Sequence, residues 1–173
     1  MLADRLNARN LIVVSGDIRP GIDKSEQRAA IIQALRRAAP IASAAGLGLL
    51  LEPLNTRVDH RGYFLDSTLE GLELIHAIDH PAVRLLYDIY HSIVMGEEPT
   101  EVLRGSCDLV GHVHIADVPG RHEPGSGSID WPRKLDALRS AGYAGPLGLE
   151  YIPIRDTESS LAFIRRLIDQ PDS

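Results

Sequence analysis

Four side chains able to bind protons or metal ions recur at long, near-regular intervals: Glu52, Asp88, His114 and Glu150. Each lies in or at the end of an apolar run. Neighbours in the set are separated by roughly the 30 residues of one strand–helix unit. Side chains at the C-terminal ends of successive parallel strands project at one end of the sheet. Three carboxylates and an imidazole gathered there repel one another unless a cation joins them. Such a donor set suits a hard or borderline divalent ion, Mn²⁺, Mg²⁺ or Co²⁺, better than a structural zinc. His91 follows Asp88 closely, and Arg121 sits in a Gly/Pro-rich loop. Both are placed to hold substrate oxygens, and a guanidinium fork grips a carboxylate through two parallel hydrogen bonds.

The elements that must deliver these groups alternate. Apolar, β-branched runs at Leu11–Gly16, Gly48–Pro53, Val83–Ile89, Val110–Val118 and Pro146–Ile152 read as strands. A helix from Asp23 or Ser25 to about Ala45 carries Ile32, Leu35, Ala38 and Ala42 on one face. Pro40 is expected to kink it and Gly46 to end it. Ser67-x-x-Glu70 is a capping box for a helix bearing Leu69, Leu72, Ile75 and Ile78. A short helix around Pro99–Arg104 precedes the fourth strand. Asp130 caps a helix with Pro132 in its first turn and Gly142 as its stop. Asp156 or Thr157 opens the last helix, with Leu161, Ile164, Leu167 and Ile168 apolar. Strand–helix repetition with helix-length crossovers predicts an α/β fold with a parallel sheet.

The stretch Gly111–Trp131, GHVHIADVPGRHEPGSGSIDW, passes from a strand into a loop punctuated by glycine and proline. Its part VPGRHEPGSGSIDW resembles the signature loop of hydroxypyruvate isomerase-like proteins. These are small members of the xylose isomerase-like TIM-barrel superfamily, which also holds ketose 3-epimerases. The resemblance covers nearly the whole chain through Glu52-Pro53-Leu54-Asn55, Tyr87-Asp88-Ile89-Tyr90-His91 and Gly148-Leu149-Glu150-Tyr151. It implies one domain, residues 1–173, forming a partial (β/α)8 TIM barrel whose five parallel units correspond to strands 4–8. It implies Glu52, Asp88, His114 and Glu150 as metal ligands. Glu52 and Glu150 would also act as proton donor and acceptor, with His91, Arg121 and Asn55 binding substrate. Two positions depart from the isomerase pattern. Those isomerases usually carry Gln where this chain has His114, whereas the epimerases carry His; Ser128 stands where the isomerase loop usually has Glu.

Bulk properties narrow the classes. Hydrophobic content of 44% and charged content of 24% are those of a soluble globular domain. A net charge of −6 without a basic stripe argues against nucleic acid as a partner, and so against a metal-dependent DNA endonuclease on this fold. The lone Cys107 rules out an internal disulfide and a cysteine zinc cage, and reads as a small, partly buried hydrophobe. MLADRLNARN lacks a signal-peptide apolar core and no run is long enough for a membrane span, so the expected location is cytoplasmic. No GxGxxG, phosphate-binding loop or nucleophile elbow is present. His60, His76, His80 and His112 lack a chemical context. His122 and Glu123 read equally as functional groups and as loop scaffold.

The leading expectation is a metal-assisted aldose–ketose isomerase acting on a small hydroxy or oxo acid, interconverting hydroxypyruvate and tartronate semialdehyde. A ketose 3-epimerase or related sugar isomerase is the alternative within enzymes. An inactive fragment or sugar-acid binding module is the alternative outside them, because a whole barrel takes about 250 residues. The strands at Leu11–Gly16 and Leu147–Ile152 are then expected to be unpaired edges of an open sheet. Such a chain should be poorly stable, homo-oligomeric or dependent on a partner completing the barrel.

Overall fold

Leucine, valine and isoleucine dominate five short strands, and their alternation of side chains gives each strand two apolar faces. In the computed structural model, which describes residues 2–168, these are β1 (Asn10–Val14), β2 (Gly48–Glu52), β3 (Val83–Asp88), β4 (Val110–Ile115) and β5 (Leu147–Leu149). They lie side by side in the order β1-β2-β3-β4-β5, every neighbouring pair parallel. The result is a curled half-barrel, the partial TIM barrel expected. Met1 and residues 169–173 of the expected domain lie outside the described residues, as do the side chains of Leu167 and Ile168.

The crossovers are α2 (Lys24–Ala44), α3 (Thr68–Ile78), the pair α4 (Ile89–Met95) and α5 (Pro99–Val102), and α6 (Trp131–Ser140). A short α1 (Leu2–Arg5) precedes β1, and α7 (Thr157–Ile168) follows β5. Leu49 and Leu51 of β2, Leu85 and Tyr87 of β3, and Val113 and Ile115 of β4 form one core with Leu35, Leu72, Ile75, Trp131 and Leu135 of the helices. The alternate residues, Leu50 and Glu52, Leu86 and Asp88, point to the other face, which in a barrel is its interior. Among the described residues no helix is long and apolar enough to cross a membrane.

Local details sharpen the sequence reading. α2 continues through Pro40, and the chain turns at Gly46 with φ 70°. Ser67 caps α3 by accepting the Glu70 N–H, but only half of the expected capping box forms. The Glu70 carboxylate pairs with Lys24 at 2.7 Å instead, tying α2 to α3. β3 stops at Asp88, one residue earlier than expected, because Asp88 already caps α4. β5 is only three residues long, so Glu150 lies just past the strand and not inside it. Glu150 N–H still donates to the Ile115 carbonyl of β4 at 3.3 Å, and beyond it Ile152 N–H donates to the Arg121 carbonyl at 2.8 Å. Glu150 consequently escapes the full burial expected for a residue within an apolar strand.

β1 and β5 are the edges of the described sheet. Ile12 and Val14 share a sheet face with Leu50 and Glu52 through the register, yet they are 50% and 57% exposed. Leu147 and Leu149 are also exposed. Edge strands with free N–H and C=O groups and apolar side chains recruit further strands. Sedimentation velocity should therefore show association that grows with protein concentration. Ile12→Lys combined with Val14→Lys should shift the population toward monomer while leaving far-UV circular dichroism unchanged. A wild-type chain that stays monomeric at all concentrations contradicts the open-edge reading.

Candidate metal centre and active site

Each polar group of the site is presented by the end of a strand whose preceding residues are locked in the sheet. Glu52 ends β2, Asp88 ends β3, His114 is the penultimate residue of β4, and Glu150 follows β5. The register sets Asp88 directly beside His114, and His114 beside Gly148. A Cβ on Gly148 would stand 2.6 Å from both His112 and His114 ring atoms, so glycine there makes room for the imidazoles. The two rings meet edge to face with centroids 5.0 Å apart.

Three of the four expected ligands, Glu52, Asp88 and Glu150, lie close to one another, and His114 faces the two glutamates from β4. His114 Nδ1 lies 3.3 Å from Glu150 Oε2 and 3.6 Å from Glu52 Oε1. A fifth group joins them. One donor atom each from Glu52, Asp88, His91 and Glu150 falls within 4.8 Å of the others. Helix α4 begins immediately after β3, and this swings His91 back over the strand ends. His91 Nε2 is 3.8 Å from Asp88 Oδ2. Asp88 serves twice: Oδ1 accepts the His91 N–H at 3.2 Å, while Oδ2 faces the cluster.

Four buried atoms here have no hydrogen-bond partner: Glu52 Oε1, Asp88 Oδ2, His91 Nε2 and His114 Nδ1. Buried polar atoms are almost always satisfied, so four orphans facing one another need an explanation. A divalent cation is the group whose chemistry the Glu52 and Asp88 oxygens and the His114 imidazole fit. The electrostatics agree. Burial, with the charge of Glu52 adding to it, pushes the Asp88 carboxyl up to about 7. Burial would lower the His114 ring, but the carboxylates of Glu150 and Glu52 facing it at 3.3 and 3.6 Å overcome this and hold it up at about 9. His114 in turn pulls Glu150 down to about 2, helped against burial by Arg121. Burial lowers His91 to about 3, so it is neutral.

Arg121 reaches the site from the loop after β4. Its guanidinium bonds Glu150 Oε2 at 2.6 Å and lies over the Tyr90 ring, 5.4 Å from the centroid. Its backbone is left-handed, with φ 56°. Glu150 keeps 46% of its side-chain surface exposed, so it is the member of the cluster facing solvent. Asn55, expected to touch substrate, is fully buried beneath His91. Its Oδ1 accepts the N–H groups of Val58 and Asp59, and its Nδ2 reaches Asp59 Oδ2 and His91 Nδ1. His122 and Glu123 are scaffold: His122 Nδ1 bonds the Ile152 carbonyl and Glu123 accepts the Ile154 N–H. His60 stacks against His91, with ring centroids 5.4 Å apart.

The sequence reading passed over Asp117. Its carboxylate is fully buried and accepts four bonds, from Val118 N and Ile129 N to Oδ1 and from Gly125 N and Trp131 Nε1 to Oδ2. These lengths run from 2.7 to 3.1 Å. One side chain thus organises the loop that carries Arg121. Gly127 lets that loop close, because a Cβ there would stand 2.5 Å from Asp117 Oδ1. The available signal was a lone acid ending an apolar run before a glycine-rich loop.

Comparison with known proteins gives a consistent result. A family profile described as xylose isomerase-like TIM barrel matches residues 1–167. The chain is 34% identical to a putative hydroxypyruvate isomerase of Homo sapiens, over 97% of this chain and 62% of that protein. The crystal structure of an AP endonuclease, family 2, from Brucella melitensis superposes with a TM-score of 0.86 at 36% identity, covering 95% of this chain and 63% of that one. A 3-keto-D-glucoside 4-epimerase from E. coli superposes with a TM-score of 0.80 at 26% identity, covering 95% and 66%. The chain thus spans less than two thirds of each relative's length.

Two outcomes follow from this geometry. Asp117→Asn keeps the shape but turns an amide N–H₂ or a weaker acceptor toward four N–H donors. It should cost about 1–3 kcal/mol in urea unfolding and open residues 118–130 to protease; unchanged stability contradicts the organising role. A cation entering the cluster must also displace protons from Asp88 below about 7 and from His114 below about 9. Mn²⁺ affinity by calorimetry should therefore fall as pH is lowered through both values, with proton release at neutral pH. A pH-independent affinity would place the ion elsewhere.

Proposed function

The chain belongs to the xylose isomerase-like TIM-barrel family, and from that premise we propose that it carries the site of a metal-assisted isomerase for a small hydroxy or oxo acid. The interconversion of hydroxypyruvate and tartronate semialdehyde is the specific reaction proposed. The observation that carries this reading is the set of four unpartnered buried atoms, on Glu52, Asp88, His91 and His114, beside an arginine that meets solvent. Glu52, Asp88, His114 and Glu150 would hold the divalent ion. When bound, it would supply positive charge against the enediolate oxygens.

The chain's own residues account for the remaining chemistry. Isomerisation moves one proton from the hydroxyl-bearing carbon to the adjacent carbonyl carbon, and the hydroxyl proton passes between the two oxygens. Glu52 and Glu150 each place an oxygen in the cluster, reached from β2 and from the end of β5, so one can accept the carbon-bound proton while the other returns a proton. Arg121 offers the substrate carboxylate a fork, exchanging its Glu150 contact for the ligand. The Asp117-braced loop keeps that guanidinium over the site.

A second reading, a ketose 3-epimerase, is favoured by one observation. His114 occupies the position where the isomerases it resembles carry Gln, and its Nδ1 is shared between the two glutamates. Product analysis separates the two. Protein supplied with Mn²⁺ and hydroxypyruvate in D₂O should form tartronate semialdehyde carrying deuterium at the new C–H. A ketohexose should remain unconverted, whereas its epimerisation would select the second reading. Glu150→Gln should lower turnover by at least about a hundredfold, the low end for a lost acid–base group. Full turnover by that variant rules out the proton-transfer assignment.

A further inference from the structure

His91 meets the site with one ring nitrogen and is gripped from behind by the other. Nδ1 lies 3.1 Å from Asn55 N and 2.7 Å from Asn55 Nδ2. Neither contact can be reversed. A backbone nitrogen only donates. The side-chain amide is fixed because its Oδ1 accepts Val58 N–H at 3.1 Å and Asp59 N–H at 3.0 Å. Its other atom is therefore the N–H₂ group. One hydrogen of that group goes to Asp59 Oδ2 at 2.7 Å, where the Tyr90 hydroxyl also donates at 2.7 Å. The second hydrogen points at His91 Nδ1. All four hydrogen-bonding positions of the Asn55 amide are thereby used. A ring nitrogen facing two donors presents its lone pair, so Nδ1 carries no proton and the ring proton sits on Nε2.

We propose that Asn55 is a positioning residue that fixes His91 as the Nε2–H tautomer and so makes it a hydrogen-bond donor in the site and not a metal ligand. By position alone, His91 qualifies as a ligand, since its free nitrogen lies within 4.8 Å of donor atoms on Glu52, Asp88 and Glu150. A protonated Nε2 has no lone pair to give. Chemistry therefore reverses what distance suggests: His91 sits within the 4.8 Å cluster yet turns an N–H to whatever oxygen enters, while His114 turns its Nδ1 to the glutamates. A neutral imidazole N–H aimed at a substrate oxygen stabilises charge that grows there as a carbonyl becomes an enediolate. That last step rests on the isomerase reading above; the tautomer rests on the hydrogen bonds alone.

The test uses the full chain with ¹⁵N-labelled histidine and two-bond ¹H–¹⁵N correlation spectra, with His91→Gln to assign the ring. In metal-free protein, His91 should show the pattern of a protonated Nε2 and a bare Nδ1. Titration with Mg²⁺ should shift the His114 nitrogens and leave the His91 Nε2 proton in place. Asn55→Asp puts a carboxylate against Nδ1 and should move the proton to it. Mg²⁺ should then perturb the His91 Nε2 resonance directly. A proton on Nδ1 in the wild type, or its loss from Nε2 on Mg²⁺ addition, overturns the proposal. An Nε2–H signature that persists in Asn55→Asp overturns the role of the Asn55 side chain, because only the backbone N–H then remains against Nδ1. If that variant does not fold, the wild-type spectra still decide. The predicted tautomer in a protein that turns over no hydroxypyruvate would retain this inference and remove the isomerase reading; the opposite tautomer in an active isomerase would do the reverse.

Discussion

Negative charge gathered at the ends of buried strands is the condition to which everything else in this molecule answers. Glu52 and Asp88 are almost wholly buried, and neither has a cation fully committed to it within the protein. An isolated buried carboxylate is strongly disfavoured, and it relieves the cost by protonation or by gaining a counter-charge. Both responses are visible: Asp88 is pushed up to about 7, and the His114 ring is held up at about 9 by its two glutamates. The helices and core exist to keep the strand ends close despite that repulsion. Their apolar contacts lie on the opposite sheet face, so the energy of folding is gained in one layer and the electrostatic cost is met in another.

The residues that hold the site from behind have little freedom to relax. Asn55 is saturated, Asp117 accepts four bonds, and Tyr63 joins β1 to β2 by accepting the Ser15 N–H and donating to the Glu52 carbonyl. A site whose surroundings cannot reorganise holds its charges in place when the substrate's charge changes. Pre-organisation of this sort is common to enzymes that stabilise an anionic intermediate, and it is consistent with the isomerase reading without depending on which acid is turned over.

The fold was legible because the strand–helix alternation is strong in residue type. Runs such as GLLLE and VRLLYD pack as buried strands, and the positions of Glu52 and Asp88 at their ends followed from that alone. Glu150 was harder. Its strand appeared to extend to Ile152, but the backbone beyond Glu150 pairs with the Arg121–Glu123 loop, a partner remote in sequence. Asp117 and Asn55 were hardest for the same reason. Their roles consist of bonds to backbone N–H groups whose placement only the folded loops determine. Local pattern reveals which residue types sit where; it does not reveal a hydrogen-bond inventory that only the folded loops close.

The left-handed backbone at Arg121 sets two selective pressures against each other at one codon. Side chains other than glycine, asparagine and aspartate are disfavoured at φ 56°, by about 1–2 kcal/mol. Any drift toward a more comfortable residue there raises the stability of the fold and discards the guanidinium. An arginine held at this angle thus pairs backbone strain with a guanidinium over the cluster, the coincidence of strain and chemistry expected where a fold serves a site.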